Sequence, residues 1–375
     1  MILLIGNYRP DQQQSMQRFA QMMQQGLVET GITAELIAPE PVVGNFMGAG
    51  RFIAKWLGYI DKFVFFPRVL RKRLRARPAL VHICDHSNAI YTRWTKSLPV
   101  VVTCHDLLAV RGALGEETNC PASFTGKFLQ RWIVRGLRRA STIACVSQAT
   151  LRDAQRIIAR DETSPHLEVV PLGLNYPFRK LDTSEATARL EQLGHVDLGR
   201  PFILHVGSSE RRKNREGLLR IFAQTKDKWN GQLIFAGAPL ELELSSLGKS
   251  LGIDGRIVEV RNPDSEILEA LYNCANALVY PSRFEGFGWP VAEAQACGCP
   301  VICSDAGPLP EVVGDSAMTH PVDDENGFAA DVLRLNDPAE RERWSAQSLR
   351  NAERFSTPKM IQRYIDIYQT LAPQL

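Results

Sequence analysis

Short apolar runs with β-forming residues alternate along this chain with longer stretches in which apolar residues recur every three or four positions. The first pattern marks buried strands, the second amphipathic helices. In the first half the strand runs are Met1–Gly6, Ile32–Ala38, Ala79–Cys84, Val100–Cys104, Thr142–Val146 and Leu167–Pro171, and Met16, Phe19, Ala20, Met23 and Leu27 give one face of a helix between the first two. A polar, uneven stretch from about Phe178 to Arg200 follows, with one weak helix. The alternation then resumes at Phe202–Val206, Leu233–Ala236, Ile257–Val260, Ala277–Tyr280 and Val301–Ser304, and ends near Asp337-Pro338. In the tail, Met360, Ile361, Tyr364, Ile365, Tyr368 and Leu371 stand at helical spacing. Such alternation predicts α/β architecture with parallel sheets. Two series separated by a hydrophilic connector predict two doubly wound, Rossmann-like domains, residues 1–178 and 179–355, the first completed by a helix over 356–375.

Composition agrees with a soluble globular protein: 375 residues, 45% apolar and 23% charged, are too many for one ordinary core. The net charge of +3 is unevenly placed. Between Arg51 and Arg77 stand nine Lys or Arg against one acid, Asp61. The N-terminus lacks the basic start and long apolar stretch of a signal peptide and reads as a first strand. No window approaches the roughly 20 apolar residues of a membrane span. The eight cysteines include no CxxC pair. Cys297 and Cys299 form a CxC without a His partner nearby, so buried small hydrophobes are the better reading than zinc ligands. A cytoplasmic location is expected, with a peripheral place on the inner face of the plasma membrane as its extension.

The strongest chemical signal runs from Tyr280 to Pro300, YPSRFEGFGWPVAEAQACGCP. A buried strand ends at Pro281, and a glycine-containing loop then carries a carboxylate, Glu285, expected to be exposed. Pro290 suits the first turn of a following helix. Gly286 and Gly288 let backbone approach a ligand, and a helix start offers N–H donors to an anion. Glu293 is expected in the first turn of that helix. A second element, Leu204 to Asn214, LHVGSSERRKN, follows the first strand of the second domain and brings Gly207, Arg212 and Lys213 to a strand end. Paired cations there suit the retention of a leaving diphosphate.

These residues resemble the signature of the retaining GT-B glycosyltransferases called family 4, or group 1. Glu285 and Glu293 reproduce that family's two glutamates separated by seven residues, and Ala296 to Val313 is similar as well. The resemblance implies a GT-B fold whose two domains face a cleft. It implies transfer of a sugar, mannose-like or another hexose, from a nucleotide-diphosphate donor to a glycan or lipid-linked acceptor in cell-surface polysaccharide or glycolipid synthesis. It places the diphosphate on Arg212, Lys213 and the helix start, with Gly207, Gly286, Phe287 and Gly288 lining the donor site. Glu285 would orient the sugar hydroxyls and Glu293 the nucleotide ribose. No Asp-x-Asp triplet stands near a strand end, which fits metal-independent transfer with no cofactor beyond the donor substrate. Many relatives carry another arginine directly after the strand's glycine, where this chain has Ser208.

In the first domain the strand Val100–Cys104 ends in His105-Asp106. The resemblance aims His105 at the transferred sugar as a catalytic group. Asp85, His86, Asp106 and Ser15 are candidates for the acceptor side. Ser15 belongs to a loop where relatives carry a Gly-Gly pair that is missing here, and Asp11 is a candidate helix cap. The basic segment 51–77 interleaves apolar residues with cations, as a segment lying on an anionic membrane surface does; the plainer alternative buries its apolar face in the core. A nucleic-acid partner is not expected, since the aromatics read as buried. The rival readings are a non-catalytic scaffold of this fold and a nucleotide-sugar 2-epimerase. An NAD-dependent oxidoreductase lacks its G-x-G-x-x-G.

Overall fold

The computed structural model describes residues 1–44, 51–95, 98–159 and 164–374, with the backbone alone at 51, 52, 54 and 55. The side chains of Arg51, Phe52 and Lys55, part of the basic segment, thus lie outside the described residues. The chain divides into two units, residues 1–175 with 357–375 and residues 176–356.

In the first unit six parallel strands, β1 (Ile2–Ile5), β2 (Ala34–Ile37), β3 (Leu80–Ile83), β4 (Val100–Cys104), β5 (Thr142–Cys145) and β6 (His166–Val169), lie in the order β2-β1-β3-β4-β5-β6. Register is pinned by fully buried aliphatic pairs such as Ile5 with Ile83 and Ile83 with Val102. Strands buried on both faces need no polar alternation, so they read as continuous apolar runs. The second unit repeats the design with β7 (Phe202–Gly207), β8 (Gln232–Gly237), β9 (Ile257–Arg261), β10 (Ala277–Tyr280), β11 (Val301–Ser304) and β12 (Met318–His320), ordered β12-β11-β10-β7-β8-β9. Eleven of these twelve strands coincide with the expected runs. The twelfth, β12, is a three-residue edge strand with a half-polar sequence, too short to show periodicity.

The connector is a defined element. Its helix Thr183–Glu191 is tied to the buried Glu269, which accepts from Arg189 Nη1 at 2.8 Å and from the Arg179 backbone N–H at 2.9 Å. The cysteines are all free, and Cys297, Cys299 and Cys303 are buried. Asp11 does not cap the first helix, Gln14–Glu29, because the chain first makes a 3-10 turn over Arg9–Asp11; the carboxylate instead pairs with Lys62 Nζ at 2.8 Å.

The last helix, Thr357–Leu371, belongs to the first unit and is fixed there by a buried polar chain. Tyr368 Oη lies 2.6 Å from His82 Nδ1, His82 Nε2 lies 2.8 Å from Thr103 Oγ1, and Thr103 Oγ1 lies 2.7 Å from Tyr364 Oη. Burial lowers the His82 imidazole to about 3, so the neutral ring spends one nitrogen as donor and the other as acceptor. Tyr368→Phe is expected to strand one of these nitrogens in the core and lower unfolding free energy by about 1–3 kcal/mol, measured by urea denaturation. An unchanged midpoint would show the link to be dispensable.

Candidate functional site

In the second unit β7 and β10 are sheet neighbours although β8 and β9 separate them in the chain. The connections leaving two such strands run to opposite sides, and a crevice opens at their carboxyl ends. From β7 the chain passes Ser208 and Glu210 into a 3-10 turn, Arg211–Lys213. From β10 it passes through the loop carrying Glu285. The turn and the loop meet directly: the Arg283 N–H donates to the Arg212 carbonyl at 2.7 Å.

Their side chains form one ionic cluster. Lys213 Nζ donates to Glu285 Oε1 at 2.7 Å and to the Tyr280 hydroxyl at 2.5 Å. Arg212 Nη1 donates to Glu285 Oε2 at 2.9 Å and to the Phe284 carbonyl at 3.2 Å, while its Nη2 donates to Glu210 Oε2 at 2.6 Å. Lys213 is only 7% exposed, and the Glu285 side chain likewise 7%. The expected exposed loop acid is therefore corrected. Burial alone would raise the Glu285 carboxyl, but the Lys213 ammonium and Arg212 guanidinium bring it down to about 2. Burial lowers the Lys213 ammonium below its ordinary value, with Glu285 opposing. Burial and the Glu285 charge raise the Tyr280 phenol far above its ordinary value, so it stays neutral.

Gly288 stands before the helix Trp289–Ala296 with φ at 103°, a left-handed conformation that favours glycine, and there is space beside it only for a hydrogen: a Cβ would meet Leu309 at 2.7 Å. Pro290 sits in the first turn as expected. Glu293 does not. The helix begins one residue earlier than Pro290, which moves Glu293 into the second turn, where its Oε2 accepts from the buried Tyr272 hydroxyl at 2.9 Å. Phe287 is buried against Phe355 at 5.5 Å, and Gly286 is partly exposed in the loop. Arg215 and Tyr280 escape a motif-based reading. The Arg215 guanidinium donates to the carbonyls of Gly207 (2.9 Å), Ala238 (2.8 Å) and Pro239 (3.1 Å), so it fixes the ends of β7 and β8. Tyr280 carries the one available hint, a polar aromatic closing an apolar strand.

The first unit has its own order reversal, between β1 and β3. Asn7 follows β1 and Asp85 follows β3, and the Asn7 amide donates to Asp85 Oδ2 and to Gln13 Oε1. Asn88 Nδ2 donates to Asn7 Oδ1 at 3.0 Å. Asp85 caps the 3-10 segment His86–Trp94, accepting from the Ser87 N–H at 3.0 Å and the Ser87 hydroxyl at 2.7 Å. Burial would raise its carboxyl, but His86 and the Asn7 amide hold it well below the usual carboxylate range. His86 Nδ1 stands 3.1 Å from Asp85 Oδ1, at ion-pair distance but outside hydrogen-bond alignment. Burial lowers the His86 imidazole, and Asp85 outweighs it to give a net rise.

His105, 5% exposed, has its Nε2 3.0 Å from the Cys84 carbonyl. A carbonyl only accepts, so Nε2 carries the proton and Nδ1 the lone pair. Burial lowers this imidazole, which keeps it neutral, and Nδ1 is buried without a hydrogen-bond partner among the described residues. Asp106 is half-buried and accepts from the Leu108 N–H at 3.0 Å. Ser15 is solvent-exposed in the first turn of its helix. Of the acceptor-side candidates, then, Asp85 and His86 are in contact, and Asn7 and Asn88 join Asp85 unannounced by any motif.

Two family models cover the segments that build these sites. Residues 15–173 match the glycosyl transferase 4-like domain and residues 191–350 match glycosyl transferases group 1. The chain belongs to the group 1 glycosyltransferases. Among curated relatives, the O-antigen chain mannosyltransferase B of Escherichia coli is 34% identical over 178 residues, 45% of this chain and 46% of that protein. The D-inositol 3-phosphate glycosyltransferase of Corynebacterium glutamicum is 26% identical over 272 residues, 69% and 63% of the two chains. The chain spans less than half the length of the first curated relatives it matches. Among solved structures, sucrose-phosphate synthase from Thermosynechococcus elongatus superposes with a TM-score of 0.78 at 20% identity, covering 99% of this chain and 98% of that one. HepE from Anabaena in complex with UDP-glucose gives 0.71 at 16% identity, over 98% and 99%. These structures share the GT-B fold of this chain.

The ion cluster makes a pH-dependent contribution to stability. A carboxyl depressed from 4.5 to about 2 stabilises the fold above 4.5, and that stability is lost as pH falls toward 2. Glu285→Gln is expected to cost about 3 kcal/mol at pH 7, by leaving Lys213 buried without its counter-ion. The deficit should shrink through the acid range until the two unfolding curves converge. A deficit independent of pH would contradict it.

Proposed function

We propose that this glycosyltransferase moves a hexose, mannose-like in the first instance, from a nucleotide-diphosphate donor to a glycan or lipid-linked acceptor, with retention of configuration and without a metal. The observation that carries the proposal is the buried Arg212–Lys213–Glu285 cluster at the β7/β10 reversal, inside the segment matched by the group 1 model. A diphosphate at this strand end meets two cations already oriented, Lys213 buried and Arg212 half-buried, so little reorganisation accompanies the growth of charge on the leaving group. Gly288 leaves the start of its helix clear of a capping side chain, which suits a phosphate approaching backbone N–H groups.

The step conserves atoms simply. The anomeric C–O bond to the diphosphate breaks and the sugar develops oxocarbenium character. The acceptor oxygen bonds to the anomeric carbon on the same face, and its proton passes to a leaving phosphate oxygen. His105, neutral and directly after β4, faces the transferred sugar. Asp85 and His86, braced by Asn7, bind acceptor hydroxyls. Gly207, Gly286 and Phe287 shape the donor pocket, and Glu293 serves the nucleotide ribose in concert with Tyr272. Support for the donor class comes from HepE, whose structures hold UDP and UDP-glucose, and for the sugar from the O-antigen mannosyltransferase. Synthesis of cell-surface polysaccharide or glycolipid follows as the setting. A cytoplasmic, membrane-peripheral location follows with it, contact being made through residues 51–77.

Screening GDP-, UDP- and ADP-sugars by thermal shift and donor turnover identifies the substrate; no shift with any of them rejects the proposal. With the donor known, Lys213→Ala should lower kcat/KM by about two orders of magnitude or more. A loss under about threefold would remove the lysine from the mechanism.

A further inference from the structure

The basic segment of the first unit buries Phe66 and Leu70 in the core but leaves a second apolar face outside it. Over the helix Arg51–Ile60 and the π-helical turn Asp61–Phe65, Ile53, Trp56, Ile60 and Val64 are 55%, 50%, 41% and 45% exposed. Their spacing of three or four residues puts them on one side of the helix. The single acid in the segment, Asp61, is buried and accepts from the Tyr8 hydroxyl and the Val43 and Gly44 N–H groups. A second helix, Phe124–Leu137, presents Phe124 and Phe128, 90% and 61% exposed. The two faces are continuous through ring contacts: Trp56 with Tyr59, Tyr59 stacked on Phe63, Phe63 with Trp132, and Trp132 with Phe128.

Beside this ridge lies a groove of about 670 Å³ lined by Thr92, Arg93, Thr95, Trp132, Arg135 and Arg139. It forms where Gly136 lets its helix settle against the preceding segment; a Cβ there would meet the Ala89 carbonyl at 2.2 Å. Arg135 in the last turn of the helix, Arg139 in the turn that follows it, and Arg93, 5.7 Å from the Trp132 ring centroid, bring three exposed guanidiniums to its walls. None of the three has a carboxylate at ion-pair distance among the described residues, and the sequence has no acid between Glu117 and Asp153. Guanidiniums left without carboxylates are open to bidentate bonds from phosphate oxygens.

We infer that this face seats on an anionic phospholipid bilayer, with lipid phosphate in the Arg93–Arg135–Arg139 groove and the exposed Trp56, Phe128 and Phe124 entering the interface. The groove lies outside the 51–77 segment and adds a headgroup site to the membrane contact proposed above, on which this inference rests. Charge complementarity selects the anionic surface. The aliphatic Ile53, Ile60 and Val64 select a bilayer over a nucleic acid, since they enter acyl chains but do not stack on bases. Among the described residues no helix is long and apolar enough to cross a membrane, so the seating is interfacial.

The test is co-sedimentation of the full chain with vesicles of phosphatidylglycerol in phosphatidylcholine, and of phosphatidylcholine alone. Binding should require the anionic lipid, weaken with salt, and fall on the order of a hundredfold in Arg93→Ala/Arg135→Ala/Arg139→Ala, about fivefold per cation. Phe124→Ser/Phe128→Ser should weaken it at every salt concentration. Circular dichroism confirms that the variants fold. Equal binding to both vesicle types, or binding unaffected by the arginine changes, overturns the assignment. So does tight binding of inorganic phosphate or of single-stranded oligonucleotide with none to vesicles. Nucleotide-sugar thermal shifts on the same samples separate this inference from the proposed activity, because either can fail while the other stands.

Discussion

A lysine taken almost wholly out of water needs a counter-charge, and much of the second unit is arranged to give Lys213 one. Burial works against its ammonium and against the Glu285 carboxylate alike, so each is tolerable only beside the other. Meeting that need pulls a turn after β7 and a loop after β10 into one place, with Arg212 bridging them and Tyr280 beneath. The sheet order sets up the encounter, because two strands distant in sequence are neighbours where the winding reverses. Arg215 then holds the strand ends still by spending its donors on three backbone carbonyls. A site of this kind reaches a ligand already charged and already desolvated.

The first unit solves a different problem with the same topology. Its reversal point holds amide and hydroxyl donors around one capping carboxylate, and Asp85 keeps its charge because Ser87, Asn7 and His86 satisfy it. Next to them His105 is neutral, donates to a carbonyl and keeps a lone pair turned from water. The two units thus differ in chemistry: one offers positive charge suited to a diphosphate, the other directional hydrogen bonds suited to hydroxyl groups. The last helix, chemically silent, is locked to the first unit by His82, Thr103, Tyr364 and Tyr368.

Most of the fold was legible because buried parallel strands leave short apolar runs that alternate with helical periodicity along the chain. β12 was hidden by its three residues and edge position. Arg212, Lys213 and Glu285 were legible from local text, since glycine, charge and a strand end together leave few readings. Their degree of burial was not, because the closing partners arrive from about 70 residues away. Glu293 was misplaced by a shift of one residue in a helix start, enough to carry it into the next turn. Asn7, Asn88 and Arg215 belong to no local pattern, and only the assembled strand ends reveal what they hold. The exposure of Trp56, Phe124 and Phe128 likewise depends on tertiary packing, which helical periodicity alone does not decide.

The most direct measure of the account is a double-mutant cycle between Lys213 and Glu285, using Lys213→Met and Glu285→Gln, read both in unfolding free energy and in nucleoside-diphosphate affinity with a chelator present. A coupling of about 1.5–3 kcal/mol in stability, together with loss of nucleotide affinity wherever Lys213 is replaced, is the predicted result. Additive stability effects, or a nucleotide affinity indifferent to the lysine, would contradict the claim that this ion pair is the organising centre of the site.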